Sequence, residues 1–115
     1  MPDLDRLVKS YLPMSEPSFL LLSSLLEERH GYGIMQYVEQ ITGGRVSLGA
    51  GTVYTILYKM ENDGLIQVSR EEERRKIYRI TREGLAVLEA ESRRILELSR
   101  IAAGNLEQME AMTVG

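Results

Sequence analysis

The chain of 115 residues has no cysteine, no tryptophan, one histidine and one phenylalanine. The absence of cysteine excludes disulfides, thiolate metal sites and a cysteine nucleophile. The single histidine has no partners at metal-ligand spacing, so we expect no metal site. No run of about 18 apolar residues is present, and the first residues lack the pattern of a signal peptide. We therefore expect a single-domain, soluble, cytoplasmic protein with no membrane contact.

The sequence also lacks a catalytic constellation. No nucleophile and base stand out as a pair, and carboxylates scattered over helices are usually solvated. The glycines at 49 and 51 are not followed by the Lys-Ser/Thr of a phosphate-binding loop. We therefore expect neither an enzyme nor a bound cofactor.

Positive charge is concentrated in the middle of an acidic chain, whose net charge is −3. Residues 45–82 carry eight basic and five acidic side chains, a net charge of +3. Residues 1–44 and 83–115 each carry three basic and six acidic side chains, a net charge of −3. A local basic segment is typical of a nucleic-acid contact, although a solvated surface would give the same pattern.

Hydrophobic spacing predicts three helices, over residues 19–29, 32–42 and about 51–63. Residues 1–14 have no sustained period and are interpreted as a flexible arm or a short helix. Residues 45–47 suggest a very short strand. The positions expected inside the core are Ile34, Tyr37, Val38 and Ile41 in the second helix and Val53, Ile56, Leu57 and Met60 in the third.

Two strands follow the third helix. Alternation predicts strands over 65–70 and 75–81, joined by a turn at 71–74. In the second strand we expect Tyr78 and Ile80 to face inward, and we expect Arg75, Ile77 and Arg79 to face outward.

A long helix is predicted from the cap at Thr81 to about Met112, roughly 40 Å. Its apolar positions alternate spacings of three and four residues, as in a coiled-coil seam. One small domain cannot cover such a helix, and a twofold-related copy is the simplest partner. The expected dimerisation residues are Leu85, Leu88, Ser92, Ile95, Ser99, Ala102, Leu106 and Met109.

These elements predict a mainly α fold with a small β-hairpin, a winged helix-turn-helix. We assign a flexible arm to residues 1–14, the winged-helix DNA-binding domain to 15–81 and the dimerisation helix to 82–115. Three motifs lie at 30–34 (HGYGI), 48–66 (LGxGTVYxxLxxMExDGLI) and 74–84 (RRKxYxITxxG). Together they resemble the PadR family of bacterial transcriptional regulators, in its compact branch with one dimerisation helix.

The resemblance covers about residues 18–90. It implies a homodimeric winged-helix repressor that binds a palindromic operator in double-stranded DNA. Members of the family are often released from DNA by a small molecule, so an effector of unknown identity is a further expected partner.

The third helix and the hairpin supply the expected DNA contacts. A helix N-terminus suits a phosphate, exposed hydroxyls suit a groove, and basic strand residues neutralise phosphates. An arginine at the hairpin tip can also enter a narrow minor groove. The expected DNA-binding residues are Gly51, Thr52, Tyr54, Thr55, Tyr58, Lys59, Arg74, Arg75, Lys76 and Arg79. Plain helix capping, edge packing of Tyr54 and solvated charges are the alternative interpretations.

Three glutamates at the hairpin turn, residues 71–73, oppose this interpretation. They would repel the DNA backbone if they pointed at it. Two alternatives remain open: they shield the basic residues in the free protein, or they point away from DNA.

The resemblance places an effector at the dimer interface, where the first and last predicted helices meet. Drug-binding relatives carry a tryptophan near Ile95, and this chain has none. A flat aromatic ligand would therefore lack its usual stacking partner, and a filled aliphatic interface without ligand is an equal alternative. The expected effector-binding residues are Phe19, Leu22, Glu91, Ile95 and Leu98.

Two other functions compete with DNA binding. The acidic total charge and the glutamate-rich turn would also suit a winged-helix protein–protein interaction module without DNA binding. A small metabolite-binding enzyme is disfavoured by the missing catalytic constellation.

Overall fold

The computed structural model describes residues 3–114, and residues 1, 2 and 115 of the predicted arm and last helix lie outside the described residues. Five helices and one hairpin follow each other along the chain. They are α1 (Leu4–Tyr11), α2 (Glu16–Ser24), α3 (Gly31–Ile41), α4 (Ala50–Asn62), β1 (Ile66–Glu72), β2 (Arg75–Ile80) and α5 (Arg82–Val114). The winged-helix fold class and the long last helix are therefore confirmed.

The N-terminal segment contains a helix, which is the second of the two alternatives for residues 1–14. Asp3 caps α1 by accepting a hydrogen bond from the Arg6 backbone N–H at 3.3 Å. The helix packs against α5, and the Tyr11 hydroxyl donates to Asp63 Oδ2 at 2.6 Å. This segment is held by contacts with residues far away in the sequence. Its weak local pattern therefore could not decide between a flexible arm and a short helix.

The first predicted helix is wrong at its C-terminus, because α2 ends at Ser24 instead of Arg29. Arg29 leaves the helix and pairs with Tyr78 through two backbone hydrogen bonds of 2.9 and 3.2 Å. Its guanidinium donates to the Ser24 carbonyl at the end of α2. Pairing with a distant strand therefore overrides the helical pattern.

The short strand expected at residues 45–47 is also wrong, since this segment is a loop. The Thr42 hydroxyl accepts a hydrogen bond from the Val46 backbone N–H at 3.1 Å. A side chain near the end of α3 thus takes the donor that a strand partner would have used.

The hairpin turns through Glu73 and Arg74, which have positive φ angles of 50° and 66°. Glu72 pairs with Arg75, so the turn is two residues long and narrower than the predicted 71–74. Two left-handed residues match the type of turn that suits the twist of a hairpin.

A β-bulge between Val68 and Arg70 shifts the hairpin register, so that Ile77 pairs with Arg70 and Tyr78 with Val68. Ile77 is 6% exposed, and the expectation that it faces outward with Arg75 and Arg79 is corrected, although it lies outside the main core. Tyr78 joins the core and Ile80 packs against it, as expected. A bulge increases local twist, and neighbouring strand residues then no longer alternate simply between exposed and buried.

One core joins α2, α3, α4, the hairpin and the start of α5. Val53, Leu57 and Met60 of α4 are fully buried in it, and Ile56 is half-buried. Of the positions expected inside α3, Ile34 and Val38 are buried, whereas Ile41 is 60% exposed. The core thus fixes one side of α4 and leaves the other side facing out.

The C-terminal helix leaves the core after its first turns. Thr81 Oγ1 caps it by accepting from the Gly84 N–H at 3.1 Å and donates to the Gly64 carbonyl at 2.6 Å. Residues 96–113 are all exposed, and the molecule measures 62 × 36 × 21 Å. Between residues 3 and 114, none of the helices combines the length and hydropathy needed to cross a membrane.

Candidate nucleic-acid interface

Helix α4 presents an exposed side opposite its buried one. Gly49 is its N-cap and makes no side-chain hydrogen bond, so the first N–H groups of α4 have no side-chain acceptor there. A helix N-terminus of this kind suits an anion. All the α4 residues that we expected to contact DNA are exposed: Gly51, Thr52, Tyr54, Thr55, Tyr58 and Lys59.

Tyr54 stands against the N-terminus of α3. A Cβ added at Gly31 would lie 2.5 Å from the Tyr54 hydroxyl and 2.7 Å from its Cζ, so only glycine leaves room for this ring. Tyr54 nevertheless keeps 52% of its surface exposed. Its ring is held on one side and open on the other.

The wing, residues 66–80 of the hairpin, carries five basic side chains, and four of them have no carboxylate partner in the described part of the chain. Among residues 3–114, the basic side chains within 4.0 Å of a carboxylate are Arg45, Lys59, Arg70, Arg93 and Arg94. The four wing residues expected to contact DNA have no carboxylate within that distance, and all four are exposed: Arg74, Arg75, Lys76 and Arg79. Four of the unpaired positive charges of the 45–82 segment therefore lie on the turn and the return strand.

The glutamates of the hairpin turn have different surroundings. Glu72 accepts from Arg70 Nε at 2.6 Å, and Arg70 also pairs with Glu28 in the loop before α3. The Arg70 guanidinium holds the pKa of Glu28 below its usual range. Glu71 instead borders the cleft beside the wing. Glu72 thus binds within its own strand, and Arg70 ties the wing to the α2–α3 loop through Glu28.

A cleft of about 520 Å³ separates the wing from α3 and α4. Tyr54 and Tyr32 form one side of it, and wing residues form the other. Aromatic hydroxyls and cations face the same space, which suits an oxyanion such as phosphate. The residues that line it are His30, Gly31, Tyr32, Tyr54, Glu71, Arg74, Arg75, Lys76 and Tyr78.

His30 lies at the inner end of this cleft and caps α3. Its Nδ1 accepts from the Gly33 N–H at 3.0 Å, and Arg75 Nη1 lies 3.1 Å from its Nε2. A neutral imidazole has a single acceptor nitrogen, so the cap and a hydrogen bond from Arg75 exclude each other. The cap leaves Arg75 free to bind another acceptor. No pattern in the sequence indicated that His30 would contact the wing.

Lys59 is the one expected DNA contact that the chain itself neutralises. Its Nζ lies 2.9 Å from Asp63 Oδ2, one helical turn away. It also lies 5.0 Å from the centroid of the Tyr11 ring. The i, i+4 spacing of Lys59 and Asp63 is a signal in the sequence for this pair, whereas nothing in the sequence indicates the contact with Tyr11.

The expected dimer seam is corrected at Leu88, which is 6% exposed and belongs to the core of its own chain. Ser92 and Ile95 are half-buried, whereas Leu85 and all the expected seam residues from Ser99 onward are exposed. Large exposed apolar side chains that the seam omitted are Leu96, Leu98, Ile101 and Met112.

The expected effector site is corrected at two positions. Leu22 has no exposed surface, and Glu91 is 1% exposed. Glu91 accepts hydrogen bonds from the Met14 backbone N–H and from Arg94, at 2.9 Å and 2.5 Å. The chain's own contacts therefore occupy both residues, while Phe19, Ile95 and Leu98 keep exposed surface.

Helices α2, α3 and α4, followed by a basic hairpin, define a winged helix-turn-helix protein, and α4 has an exposed side. The family model of the PadR-like transcriptional regulators matches residues 20–90. The chain belongs to this family, which is one of transcriptional regulators and not of enzymes. No protein of curated function matches the sequence.

Solved structures with the same fold come from bacteria and archaea. A PadR family regulator from Clostridium difficile is 26% identical, with 80% of this chain and 99% of that chain covered and a TM-score of 0.66. A transcriptional regulator from Clostridium thermocellum is 24% identical, with 87% and 93% covered and a TM-score of 0.67. Sso10a-2, a DNA-binding protein from Sulfolobus solfataricus, is 16% identical, with 83% and 90% covered and a TM-score of 0.65.

Proposed function

We propose that the protein is a homodimeric, sequence-specific DNA-binding regulator that represses transcription from a palindromic operator. The observation that carries the proposal is the pairing of an exposed α4 side with four wing cations that lack carboxylate partners among the described residues: Arg74, Arg75, Lys76 and Arg79. Helix α4 would read the major groove and the wing would contact the adjacent backbone.

The expected DNA-binding residues divide between two roles. Gly51, Thr52 and Thr55 would contact base edges or phosphates near the start of α4, with Tyr54 and Tyr58 beside them. Arg74, Arg75, Lys76 and Arg79 of the wing would neutralise phosphates of the DNA backbone beside the groove that α4 enters. Their exposure and their freedom from ion pairs support this assignment.

The dimer is supported by α5. Its outer half exposes Leu98, Ala102, Leu106 and Met109, spaced by three and four residues, to solvent. An exposed apolar stripe of this length is costly for a monomer, and a second copy supplies the matching surface. A twofold dimer would present two α4 helices to two half-sites, which accounts for a palindromic operator.

Neutralising two wing residues tests the DNA contact. We expect Arg75→Gln with Lys76→Gln to weaken binding to every DNA sequence and to flatten the slope of log affinity against log salt by about two. Fluorescence anisotropy with genomic fragments, including the protein's own upstream region, measures both quantities. The matched control is Arg93→Gln with Arg100→Gln, which makes the same charge change on α5.

An unchanged salt slope in the wing variant would remove the wing from the mechanism. If the wild-type protein binds no fragment below micromolar concentration in low salt, DNA binding itself fails. A stable complex with another protein would then favour the winged-helix interaction module.

Operator and repression need separate measurements. Selection of bound DNA from a random pool should return two inverted half-sites at one spacing, and a single half-site would contradict the palindrome. Transcription in vitro from a promoter that contains the selected site should fall as the protein is added, whereas a rise would make the protein an activator.

Release by a small molecule is a further part of the proposal. Phe19, Ile95 and Leu98 keep exposed surface on α2 and α5, two helices that pack together. A compound bound there would lie next to the apolar stripe of α5. Thermal-shift screening in the presence of operator DNA, followed by anisotropy, would identify a compound that releases DNA.

A further inference from the structure

Lys59, one of the expected DNA contacts, belongs to a three-residue cluster with Asp63 at the end of α4 and Tyr11 of α1. Asp63 Oδ2 accepts hydrogen bonds from Lys59 Nζ at 2.9 Å and from the Tyr11 hydroxyl at 2.6 Å. Lys59 Nζ also lies 5.0 Å from the Tyr11 ring centroid, within range of a cation–π contact. The cluster joins α1 to the helix that faces DNA.

We propose that Asp63, positioned by Tyr11 of α1, competes with DNA phosphate for Lys59 and thereby lowers the affinity of the protein for DNA. The inference rests on the proposed DNA-binding function. It makes α1 part of the DNA-binding mechanism, although α1 carries none of the expected DNA contacts.

Asp63 is negatively charged under ordinary conditions. The hydrogen bonds from Lys59 and then from Tyr11 hold the pKa of Asp63 below its usual range. Burial, followed by the bond to Asp63, raises the pKa of the Tyr11 hydroxyl, which therefore stays protonated and remains a donor. The Asp63 carboxylate thus occupies the position beside Lys59 that a DNA phosphate would take.

The competition is reversible, because the pair is accessible. The Lys59 and Asp63 side chains are 70% and 34% exposed. An exposed ion pair of this type changes an equilibrium constant by at most about fivefold. DNA can therefore displace Asp63 from Lys59, but breaking this ion pair offsets part of the free energy of DNA binding.

Tyr11 is held in place by the contacts of α1 and the following segment with α5. The chain that follows α1 is held at Met14, whose N–H donates to the nearly buried Glu91 of α5 at 2.9 Å. Helix α1 itself packs against α5. The Tyr11 hydroxyl is therefore fixed relative to the core and keeps Asp63 Oδ2 beside Lys59.

Replacing Asp63→Asn tests the proposal on the full-length protein. We expect DNA affinity to rise about two- to fivefold and the salt slope to steepen by up to about one, because Lys59 becomes available to a phosphate. The matched control is Glu61→Gln, which removes a carboxylate from the same end of α4 but not the one that binds Lys59. An equal rise in both variants would overturn the proposal, since general electrostatics would then explain it.

A double-mutant cycle tests whether Asp63 acts through Lys59. In a Lys59→Met background, Asp63→Asn should change affinity by less than twofold. The same several-fold gain in that background would overturn the proposal. Circular dichroism and thermal melting of each variant confirm that the fold is kept before affinities are compared.

The positioning role of Tyr11 is tested with Tyr11→Phe, which keeps the ring and removes the hydrogen bond. We expect affinity to rise part of the way toward that of Asp63→Asn, and we expect no further rise when both changes are combined. A Tyr11→Phe variant with wild-type affinity and salt slope would remove Tyr11 from the mechanism. Failure of the proposed function differs from all these outcomes, because the wild-type protein would then show no salt-dependent DNA binding.

Discussion

Single side chains on the side proposed to face DNA are held by contacts on their inner ends. Tyr54 occupies the space that Gly31 leaves free, and His30 caps α3 beside the wing residue Arg75. The outer ends of these side chains remain exposed. A side chain ordered in this way loses less entropy when it binds DNA, which favours affinity.

Gly31→Ala should impair DNA binding without unfolding the protein. The new methyl group would displace the Tyr54 ring, while alanine in place of glycine near the start of α3 adds helix propensity of up to about 1 kcal/mol. We expect the free energy of unfolding to change by less than about 1 kcal/mol and DNA affinity to fall about tenfold. Urea denaturation and anisotropy measure the two effects.

Gly33→Ala is the matched control in the same helix. A Cβ there would lie 3.5 Å from the nearest atom of His30, an ordinary contact. Equal losses of affinity in the two variants would show that the position of Tyr54 is not the cause.

Among the elements, α1 and α5 pack together behind the side proposed to face DNA. Glu91 of α5 joins them, since it accepts from the Met14 N–H after α1 and from Arg94 one turn along α5. The hydrogen bond from Arg94 is the main cause that holds the pKa of Glu91 below its usual range, and the Met14 N–H adds to it. Ionised Glu91 therefore stabilises the folded state.

Glu91→Gln should lower stability in a pH-dependent way. Because the pKa of Glu91 is lower in the folded state, its contribution is present above the unfolded value of about 4.3 and is lost as the pH falls through the folded value. We expect a loss of about 1–2 kcal/mol at pH 7, limited by water around the partly exposed Arg94, and a smaller difference once the pH has fallen below the lowered pKa of Glu91.

Urea denaturation at several pH values measures this difference. Glu89→Gln is the matched control, because the Glu89–Arg93 pair is exposed and worth at most about 0.5 kcal/mol. A loss that is equal in the two variants, or independent of pH, would contradict the assigned role of Glu91.

At the scale of the whole molecule, the outer half of α5 is a helix without a partner in its own chain. Residues 96–113 are exposed on every side, and apolar residues on one side continue the stripe that the inner half buries. A helix that projects this far from a small core gains stability chiefly from tertiary contacts. The proposed homodimer supplies them.

Replacing Leu106→Glu and Met109→Glu together should convert the protein to a monomer of 13.1 kDa. Charges in the apolar stripe cannot be buried without large cost. Sedimentation measures the mass, and anisotropy with the full operator should show about a hundredfold or greater loss, because one half-site binds alone.

Gly104→Glu with Ala111→Glu is the matched control, since these positions lie on the opposite side of α5 by helical spacing. It should remain dimeric. A wild-type protein that sediments as a monomer at micromolar concentration would refute the dimer directly.

The sequence by itself determined the order of the elements and the charge of the wing. Periodicity and turn residues are local properties, so they predicted α3, α4, the hairpin and α5 to within a few residues. The exposure of Tyr54, Tyr58 and the wing residues also followed from spacing, because an apolar stripe on one side of a helix or strand leaves the other side to solvent.

Only the tertiary structure decided which residues meet across the chain. Arg29 leaves the helical pattern because it pairs with Tyr78, and Ile77 is buried because the bulge shifts its register. Leu88 lies in the core instead of the dimer seam for a similar reason: the start of α5 packs on its own domain. Tyr11 reaches Asp63 from 52 residues away. Contacts of this kind depend on how the elements pack, and no local pattern in the sequence encodes them.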